Sequence, residues 1–362
     1  MNKLKNIFLI TGLITLLLSS SCSEDFVHLS NPNQITTGNF WQDSSDAIKG
    51  TNACYQALHY DGLYMRLYPW IMDVRGDDCV SDSPWWITEV INYVASSGNP
   101  CYNNTWSQVY QGIYRTNQVL KYVPDIDMDT GLKNRLLAEA KFLRGLYYYH
   151  LLVTYGQIPL ITQVPESSEE FYPGKVEREK VWNQIYRDLE DAIGGLKKKG
   201  EYEDVGRATK GAAAGFLAKA YMFNEHWDSA ATYLSNIIDG EYGPYSLVDD
   251  YGENFTRENE NNSESLFEVQ FDRSVGSTVL GWVGNPGSDW RKTSGKARTY
   301  APDGYGYGDI YPSDWIYQEF QEEQTVEGNL DPRMEASLFF DHPTDTTFTL
   351  YHDPCYGNGF AQ

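Results

Sequence analysis

The chain has 362 residues, which is enough for one large domain or two ordinary domains with a substantial hydrophobic core. Its 50 acidic and 28 basic side chains give a formal net charge of −22 at pH 7. Because this negative field repels phosphate backbones, the composition argues against a nucleic-acid-binding protein.

The N-terminus has the pattern of an export signal. Lys3 and Lys5 precede an apolar run over residues 7–18, which is too short to span a membrane. The run ends at three serines followed by Cys22. This arrangement looks like a bacterial lipoprotein signal, in which residues 1–21 are removed and Cys22 becomes the acylated first residue. An ordinary secretory leader with an incidental cysteine is the alternative interpretation.

The residues after Cys22 predict an extended arm over residues 22–43. The tripeptide Ser-Glu-Asp that follows the cysteine resembles the short acidic tag that directs some lipoproteins to the outer cell surface. Polar and turn-forming residues then dominate, which favours a tether over a packed element.

Helical periodicity marks a core over about residues 44–240. The predicted helices run from Ser44 or Ser45 to about Leu58, from Trp106 to Leu120, from Asp129 or Thr130 to Gly156, from Arg178 to Leu196, and as a pair between Gly206 and Tyr242. The helix that ends at Gly156 carries two apolar rows, so we expect other helices to cover it on two faces. The pair between Gly206 and Tyr242 has the pattern of a tetratricopeptide hairpin, and the pattern favours at least two such helix pairs.

Two regions lack helical periodicity. Residues 60–102 are rich in aromatic rings and charges, which predicts a surface built from loops. Residues 241–362 are loop-rich, with alternation over Leu266–Phe271 that predicts a short strand and a helix or turn opening at Asp331. The chain ends at Gln362 without a capping or packing signal, which predicts that the natural protein continues.

The remaining cysteines and the histidines leave few metal options. Cys54, Cys79, Cys101 and Cys355 are even in number, so three disulfide connectivities are possible, and free buried thiols are the alternative. Their spacing fits no zinc or redox motif.

His150 lies on the central helix, and we predict a hydrogen-bonded core residue there and not a metal ligand.

Several segments that together cover nearly the whole chain carry a resemblance. They are the signal ending in Cys22, Asn31-Pro32 with Phe40-Trp41 after it, the Trp106–Leu120 helix, LLAEAKFLRGLYYYHLLVTYGQIPLI (136–161), GRATKGAAAGFLAKAYMF (206–223), Glu264–Phe271 and Asp331-Pro332-Arg333. In this order and spacing they resemble the SusD/RagB family of outer-membrane nutrient-binding lipoproteins of Bacteroidota.

The resemblance implies an all-α fold of tetratricopeptide-like helical repeats with a long loop-rich ligand-binding face and a few short strands, over residues 22–362. It implies a lipid-anchored protein facing the cell exterior, whose partner is a SusC-like TonB-dependent outer-membrane channel and whose ligand is an oligosaccharide or a peptide. No catalysis and no cofactor or metal are implied. Family members run beyond residue 362, so the resemblance also implies a chain truncated before its last helices.

Aromatic rings and polar side chains outside the helical pattern are the candidate ligand-binding residues. Sugar rings pack their C–H faces on aromatic surfaces, while their hydroxyls need donors and acceptors. The candidates are Arg75, Asp77, Asp78, Trp85, Trp86, Trp282, Trp290, Tyr305 and Tyr307. We expect a neutral sugar, and therefore binding that is insensitive to salt.

Alternative interpretations remain for the same residues. Large aromatic side chains also fill cores, so each ring could instead be structural. Asp77 and Asp78 could form the carboxylate pair of a glycoside hydrolase, although neighbours in sequence seldom face one another across a substrate. Helical repeats alone would also fit a protein-interaction scaffold.

Overall fold

The computed structural model describes residues 37–83, 86–272, 294–302, 306–340, 349–350 and 353–354. The chain divides into two compact units, Met1–Gln42 and Asp43–Gln362. In the first unit, helix α1 spans Thr37–Phe40, and the rings of Phe40 and Trp41 meet edge to face at 4.8 Å between centroids. None of the helices in the described ranges is both long enough and apolar enough to cross a membrane.

The second unit is mostly helical. Its α-helices are α2 (Ser44–Gln56), α3 (Leu67–Asp73), α4 (Trp86–Ile91), α5 (Pro100–Tyr122), α6 (Thr130–Tyr155), α7 (Arg178–Gly195), α8 (Lys210–Phe223), α9 (Trp227–Ile238), α10 (Lys296–Tyr300), α11 (Asp314–Glu322) and α12 (Arg333–Ser337). Strand β1 (Cys79–Val80) pairs antiparallel with β2 (Tyr311–Pro312), and β3 (Thr349–Leu350) pairs with β4 (Asp353–Pro354). The predicted all-α class and the predicted helix pairs are confirmed.

Helix α6 lies at the centre of the unit, as its apolar rows predict. The Asp129 carboxylate accepts a hydrogen bond from the Leu132 N–H at 2.8 Å and caps the first turn. Gly156 ends the helix in the left-handed region, with φ of 74°. Helix α5 packs along one side and α7 along another, and the Phe142 side chain, which meets the Phe216 ring of α8 edge-on, is completely buried.

A glycine lets α5 approach α6 closely. A Cβ atom at Gly112 would lie 2.7 Å from the Tyr147 ring, and Tyr147 is itself completely buried. The Tyr147 hydroxyl reaches past α5 and donates to the Cys54 carbonyl on α2 at 2.7 Å. The absence of a side chain at Gly112 therefore makes room for a ring that links two helices.

A buried ion pair joins α6 to α7. The Arg144 guanidinium donates to both Asp188 carboxylate oxygens, at 2.8 and 2.7 Å, and also to Asn117 Oδ1 on α5 at 2.9 Å. Both members of the pair are buried, so removing either one would leave an uncompensated charge in the core. This bidentate contact sets how the three helices align.

The loop-built surface predicted for residues 60–102 is wrong for its first part. A π-helical turn over Asp61–Met65 leads into α3, which buries Leu67, Trp70 and Ile71. Pro69 obscures the helical signal, although it lies in the first turn of α3, where a missing N–H costs no helical hydrogen bond. This region therefore supplies core as well as surface.

The strand predicted at Leu266–Phe271 is not formed within the described residues. The segment packs directly on helices: Phe267 meets the Phe142 ring edge-on at 5.1 Å, and His59 Nε2 bonds the Gln270 carbonyl at 2.8 Å. Alternating side chains here contact a helical surface, and no neighbouring strand pairs with the backbone. The predicted helix or turn near Asp331 is present as α12.

Three of the cysteines are free thiols: Cys54, Cys79 and Cys101. Burial raises the pKa of the Cys79 thiol to about 11 and that of Cys101 to about 12, so both are protonated at neutral pH. Among these three the free-thiol interpretation is correct. Cys22 and Cys355 lie outside the described residues.

Candidate functional site

A cavity of about 550 Å³ lies where the start of α5 meets the end of α6 and the loop before α7. We call it the aromatic groove. Four rings line it: Tyr93, Tyr102, Trp106 and Tyr155. Polar and charged side chains line it as well: Arg75, Asn103, Gln157 and Lys175.

Three of the rings are held by one another and by the helix backbones. Tyr102 and Trp106 are four residues apart on α5 and share a helix face. The Tyr155 ring stands edge-on to Trp106, with centroids 5.0 Å apart and planes at 86°. Its hydroxyl donates to the Tyr102 carbonyl at 2.6 Å. Burial raises the pKa of both Tyr102 and Tyr155, so both hydroxyls stay protonated at neutral pH.

Tyr93 completes the groove from a strained position. Its φ of 56° is in the left-handed region, which costs on the order of 1–3 kcal/mol for a non-glycine residue. Hydrogen bonds fix this turn: the Tyr93 N–H donates to the Val90 carbonyl at 3.1 Å, and the Tyr93 hydroxyl donates to the Arg75 carbonyl at 2.8 Å. The ring nevertheless stays 71 % exposed. A large apolar ring is thus held rigidly at the surface.

The polar side of the groove begins where α6 ends. The left-handed Gly156 turns the chain so that Gln157 follows at the groove edge, where its amide donates to Glu177 Oε2 at 3.0 Å. A bond from the Val176 N–H to the Ile158 carbonyl, at 3.0 Å, fixes the loop that carries Lys175. Fixed ring faces beside amide and cationic donors form the kind of surface to which a sugar can bind.

The predicted site residues in the turn before β1 are divided between two places. Arg75 lines the aromatic groove, whereas Asp78 lines a separate pocket of about 520 Å³ with Tyr311 of β2. The Asp77 carbonyl accepts from the Ser313 hydroxyl at 2.8 Å, and the Asp78 carbonyl accepts from the Ser313 N–H at 2.8 Å. Ligand contact by Asp77 and Asp78 stays a prediction.

The predicted aromatic residues have different positions. Trp86 is partly buried against the core cluster that contains Trp70 and Ile71. Tyr307 is half-exposed. The other predicted rings lie outside the described residues: Trp85, Trp282, Trp290 and Tyr305.

Sequence reasoning missed most of the groove. Trp106 matches the helical period and was predicted only as the start of a helix, and Tyr155 was predicted only as part of the helix that ends at Gly156. The available signal was the position of these rings, because Tyr102 and Trp106 occupy the first two turns of a helix that opens with Asn99 and Pro100. Rings at helix ends border loops and can be reached by a ligand.

A larger cavity, of about 650 Å³, lies between α2 and residues 203–207 and 267–270. Its polar groups are already engaged: Arg207 pairs with the buried Glu139 carboxylate at 3.1 Å and lies over the Tyr55 ring at 5.6 Å. The Tyr55 hydroxyl accepts from the Ala208 N–H at 3.0 Å. Because its cation and its tyrosine are used internally, this cavity is a weaker candidate than the aromatic groove.

The chain is similar in sequence and in fold to known proteins. The sequence model of a family described as "Starch-binding associating with outer membrane" matches residues 25–222, which is more than half of the chain. The chain belongs to this SusD-like family. The resemblance noted in the sequence is therefore confirmed.

The relatives and solved structures agree with this assignment. SusD-like protein P25 of Formosa agariphila is 27 % identical over 79 % of this chain and 55 % of its own length, and a SusD-like protein of Bacteroides ovatus is 26 % identical over 71 % and 48 %. A SusD superfamily protein of Bacteroides vulgatus superposes with a TM-score of 0.73 at 26 % identity, covering 87 % of this chain and 65 % of that one. A laminarin-binding SusD-like protein superposes with a TM-score of 0.70 at 28 % identity, covering 82 % and 66 %. The chain spans about half the length of the curated relatives it matches.

Metal binding has no candidate in the described ranges, where no group of three or more His, Cys, Asp or Glu side chains is placed to hold an ion. His150 fits the sequence interpretation, since it is buried and its Nε2 shares a hydrogen bond with the Tyr64 hydroxyl at 2.8 Å.

Proposed function

We propose that this protein is a lipoprotein of the outer cell surface that binds oligosaccharides in the aromatic groove and delivers them to a SusC-like TonB-dependent transporter in the outer membrane. The observation that carries the proposal is a preformed groove in which exposed ring faces stand beside amide and cationic donors. Membership in a family described as starch-binding and associated with the outer membrane supports it. So does the likeness to a laminarin-binding protein.

The geometry suits capture of an oligosaccharide without reorganisation. The Tyr155, Trp106 and Tyr93 rings are fixed by the contacts described above, so little side-chain entropy is lost when a sugar stacks on them. The groove is open at the surface, where successive sugar units of a chain can lie side by side. We expect modest affinity that rises with chain length.

Hydrolysis and peptide binding are the competing functions. Glycoside hydrolysis uses two carboxyl groups across the scissile bond, whereas the charged side chains among the described groove residues are cations. Peptide binding would use the same rings, so it stays the alternative that the experiment must separate. The proposal is therefore binding and delivery without cleavage.

The test is calorimetry of the full chain with laminarin and starch oligosaccharides. We expect Tyr93→Ala to weaken binding by about 1–3 kcal/mol through loss of a stacking surface, with little change in Tm because the ring is largely exposed. Tyr93→Phe keeps the ring and should bind nearly as well. Trp227→Ala removes a comparably exposed ring that does not line the groove and should leave binding unchanged.

Three results would contradict the proposal. Equal losses in the Tyr93→Ala and Tyr93→Phe variants would show that the hydroxyl and the loop conformation matter, not the ring face. Shorter products in the same mixtures after long incubation would indicate an enzyme, and saturable binding of peptides with no response to any glycan would favour the peptide alternative.

A further inference from the structure

The charge in the aromatic groove is opposite to that of the chain as a whole. Among the described residues that line the groove, the charged side chains are Arg75 and Lys175, in a chain with a formal net charge of −22. The two cations come from elements that are 100 residues apart in sequence: the turn after α3 and the loop before α7. The fold therefore brings positive charge to a surface that also displays aromatic rings.

Neither cation is neutralised within the part of the chain that the structure describes, because neither forms an ion pair there. Two nearby carboxylates accept hydrogen bonds from neutral side-chain amides. The Gln157 amide donates to Glu177 at 3.0 Å, and the Asn99 amide donates to Glu89 at 2.8 Å. Each of these two carboxylates is thus bonded to a group other than the groove cations.

The positive charge acts on the groove itself. Burial raises the pKa of Tyr102, and the positive charge of Arg75 opposes that rise. Arg75 and Tyr102 both line the groove, so a ligand bound on the rings lies within reach of the guanidinium. Its backbone is fixed as well, since the Arg75 carbonyl accepts the Tyr93 hydroxyl at 2.8 Å.

We infer that the aromatic groove takes a glycan with acidic substituents, uronate carboxylates or sulfate esters, which Arg75 and Lys175 bind while the rings hold the sugar faces. The inference rests on the proposed function and specifies its ligand. A planar guanidinium pairs with carboxylate or sulfate oxygens through two hydrogen bonds, and an ammonium group acts as a mobile point charge. Repulsion by the rest of the acidic surface confines such a ligand to the groove.

The experiment compares matched ligands by calorimetry at low and high salt. One pair is an oligogalacturonate and its carboxyl-reduced form, and the other is a sulfated galactan oligosaccharide and its desulfated form. The wild-type chain should bind at least one acidic ligand roughly tenfold more tightly than its neutral counterpart at low salt, and this preference should shrink as salt screens the charges. The two pairs distinguish uronate from sulfate.

Two variants test whether the preference for acidic ligands arises in the groove. Arg75→Gln with Lys175→Gln should weaken binding of the acidic ligand roughly tenfold more than binding of its neutral counterpart, because glutamine keeps a hydrogen-bond donor and removes the charge. Both side chains are exposed, so Tm should not change. Lys180→Gln, which removes an exposed lysine on α7 that does not line the groove, should bind like the wild type.

Each failure has a distinct meaning. Equal affinity for the acidic and neutral forms, or no change in the double variant, would overturn this inference and leave the proposed function standing. Absence of binding to every glycan, with or without binding of an acidic peptide such as oligoglutamate, would overturn the proposed function as well.

Discussion

His150 is a neutral base in the middle of the core. Its ring packs against Tyr68 with centroids 4.2 Å apart, and its Nε2 shares a hydrogen bond with the Tyr64 hydroxyl. Burial, with a smaller contribution from the Lys219 charge, lowers the pKa of His150 to about 3 from the ordinary value of 6.5. The folded protein therefore excludes a proton that the unfolded chain would bind.

This exclusion predicts a loss of stability in mild acid. Below pH 6.5 the unfolded state binds the proton and the folded state does not, so the free energy of unfolding falls as the pH drops toward about 3. At about 1.4 kcal/mol per pH unit, the loss between pH 6.5 and pH 5 is about 2 kcal/mol. Urea denaturation of the wild type and of His150→Gln at pH 7 and pH 5 measures it. Between pH 7 and pH 5 the free energy of unfolding of His150→Gln should fall by about 2 kcal/mol less than that of the wild type. Equal losses would show that His150 is not the group whose lowered pKa destabilises the fold in acid.

At the scale of elements, the contact between α5 and α6 depends on a missing side chain. The Tyr147 ring occupies the space beside Gly112, where a Cβ atom would lie 2.7 Å from ring carbon Cε2. Because Tyr147 is buried and its hydroxyl bonds the Cys54 carbonyl on α2, the ring has no room to move aside. The position therefore requires glycine even though glycine weakens a helix.

We expect Gly112→Ala to lower the free energy of unfolding by about 1–3 kcal/mol, because the overpacking outweighs the gain in helix propensity. Gly194→Ala on α7 is the matched control, since a Cβ atom there meets nothing within 4 Å. That substitution should be neutral or stabilise by up to about 1 kcal/mol. Chemical denaturation of the wild type and of the two variants measures both changes in the free energy of unfolding. A Gly112→Ala chain as stable as the wild type would show that the helices can separate without cost.

At the scale of the whole molecule, the helical body belongs to the SusD-like family, and the sequence before it predicts an export signal over residues 1–21 with Cys22 as the first mature residue. Cys22 lies outside the described residues, and its lipidation stays a prediction. An acyl chain on Cys22 would be the membrane contact of a protein whose described helices are too short or too polar to span a bilayer.

The anchor is tested by Cys22→Ala. We expect this variant to leave the membrane fraction on cell lysis, because the acylated residue is lost. Cys79→Ala removes a free thiol of the folded body and should stay with the membranes. Fractionation with an alkaline wash, followed by immunoblotting, makes the comparison. A Cys22→Ala chain that resists the wash would disprove the anchor assignment.

The helices could be predicted because their signals are local. Periodic apolar residues, the cap at Asp129 and the left-handed stop at Gly156 fix α6 to within a residue, since hydrogen bonds three and four residues apart decide where a helix begins and ends. The same local rules identified α7 and the α8–α9 pair. They failed at Leu266–Phe271, where alternation reflects packing on a helix surface, and at α3, where Pro69 obscures the period.

The aromatic groove could not be predicted, because it depends on which distant residues meet. The sequence by itself determined the helical class and provided the aromatic and polar side chains, and it predicts an export signal. It led to the expectation of a neutral sugar held by rings from the loops. Only the tertiary structure brought Arg75, Trp106, Tyr155 and Lys175 to one surface, because packing of α5 against α6 places the end of one helix beside the start of the other. That placement makes an acidic glycan the ligand we propose.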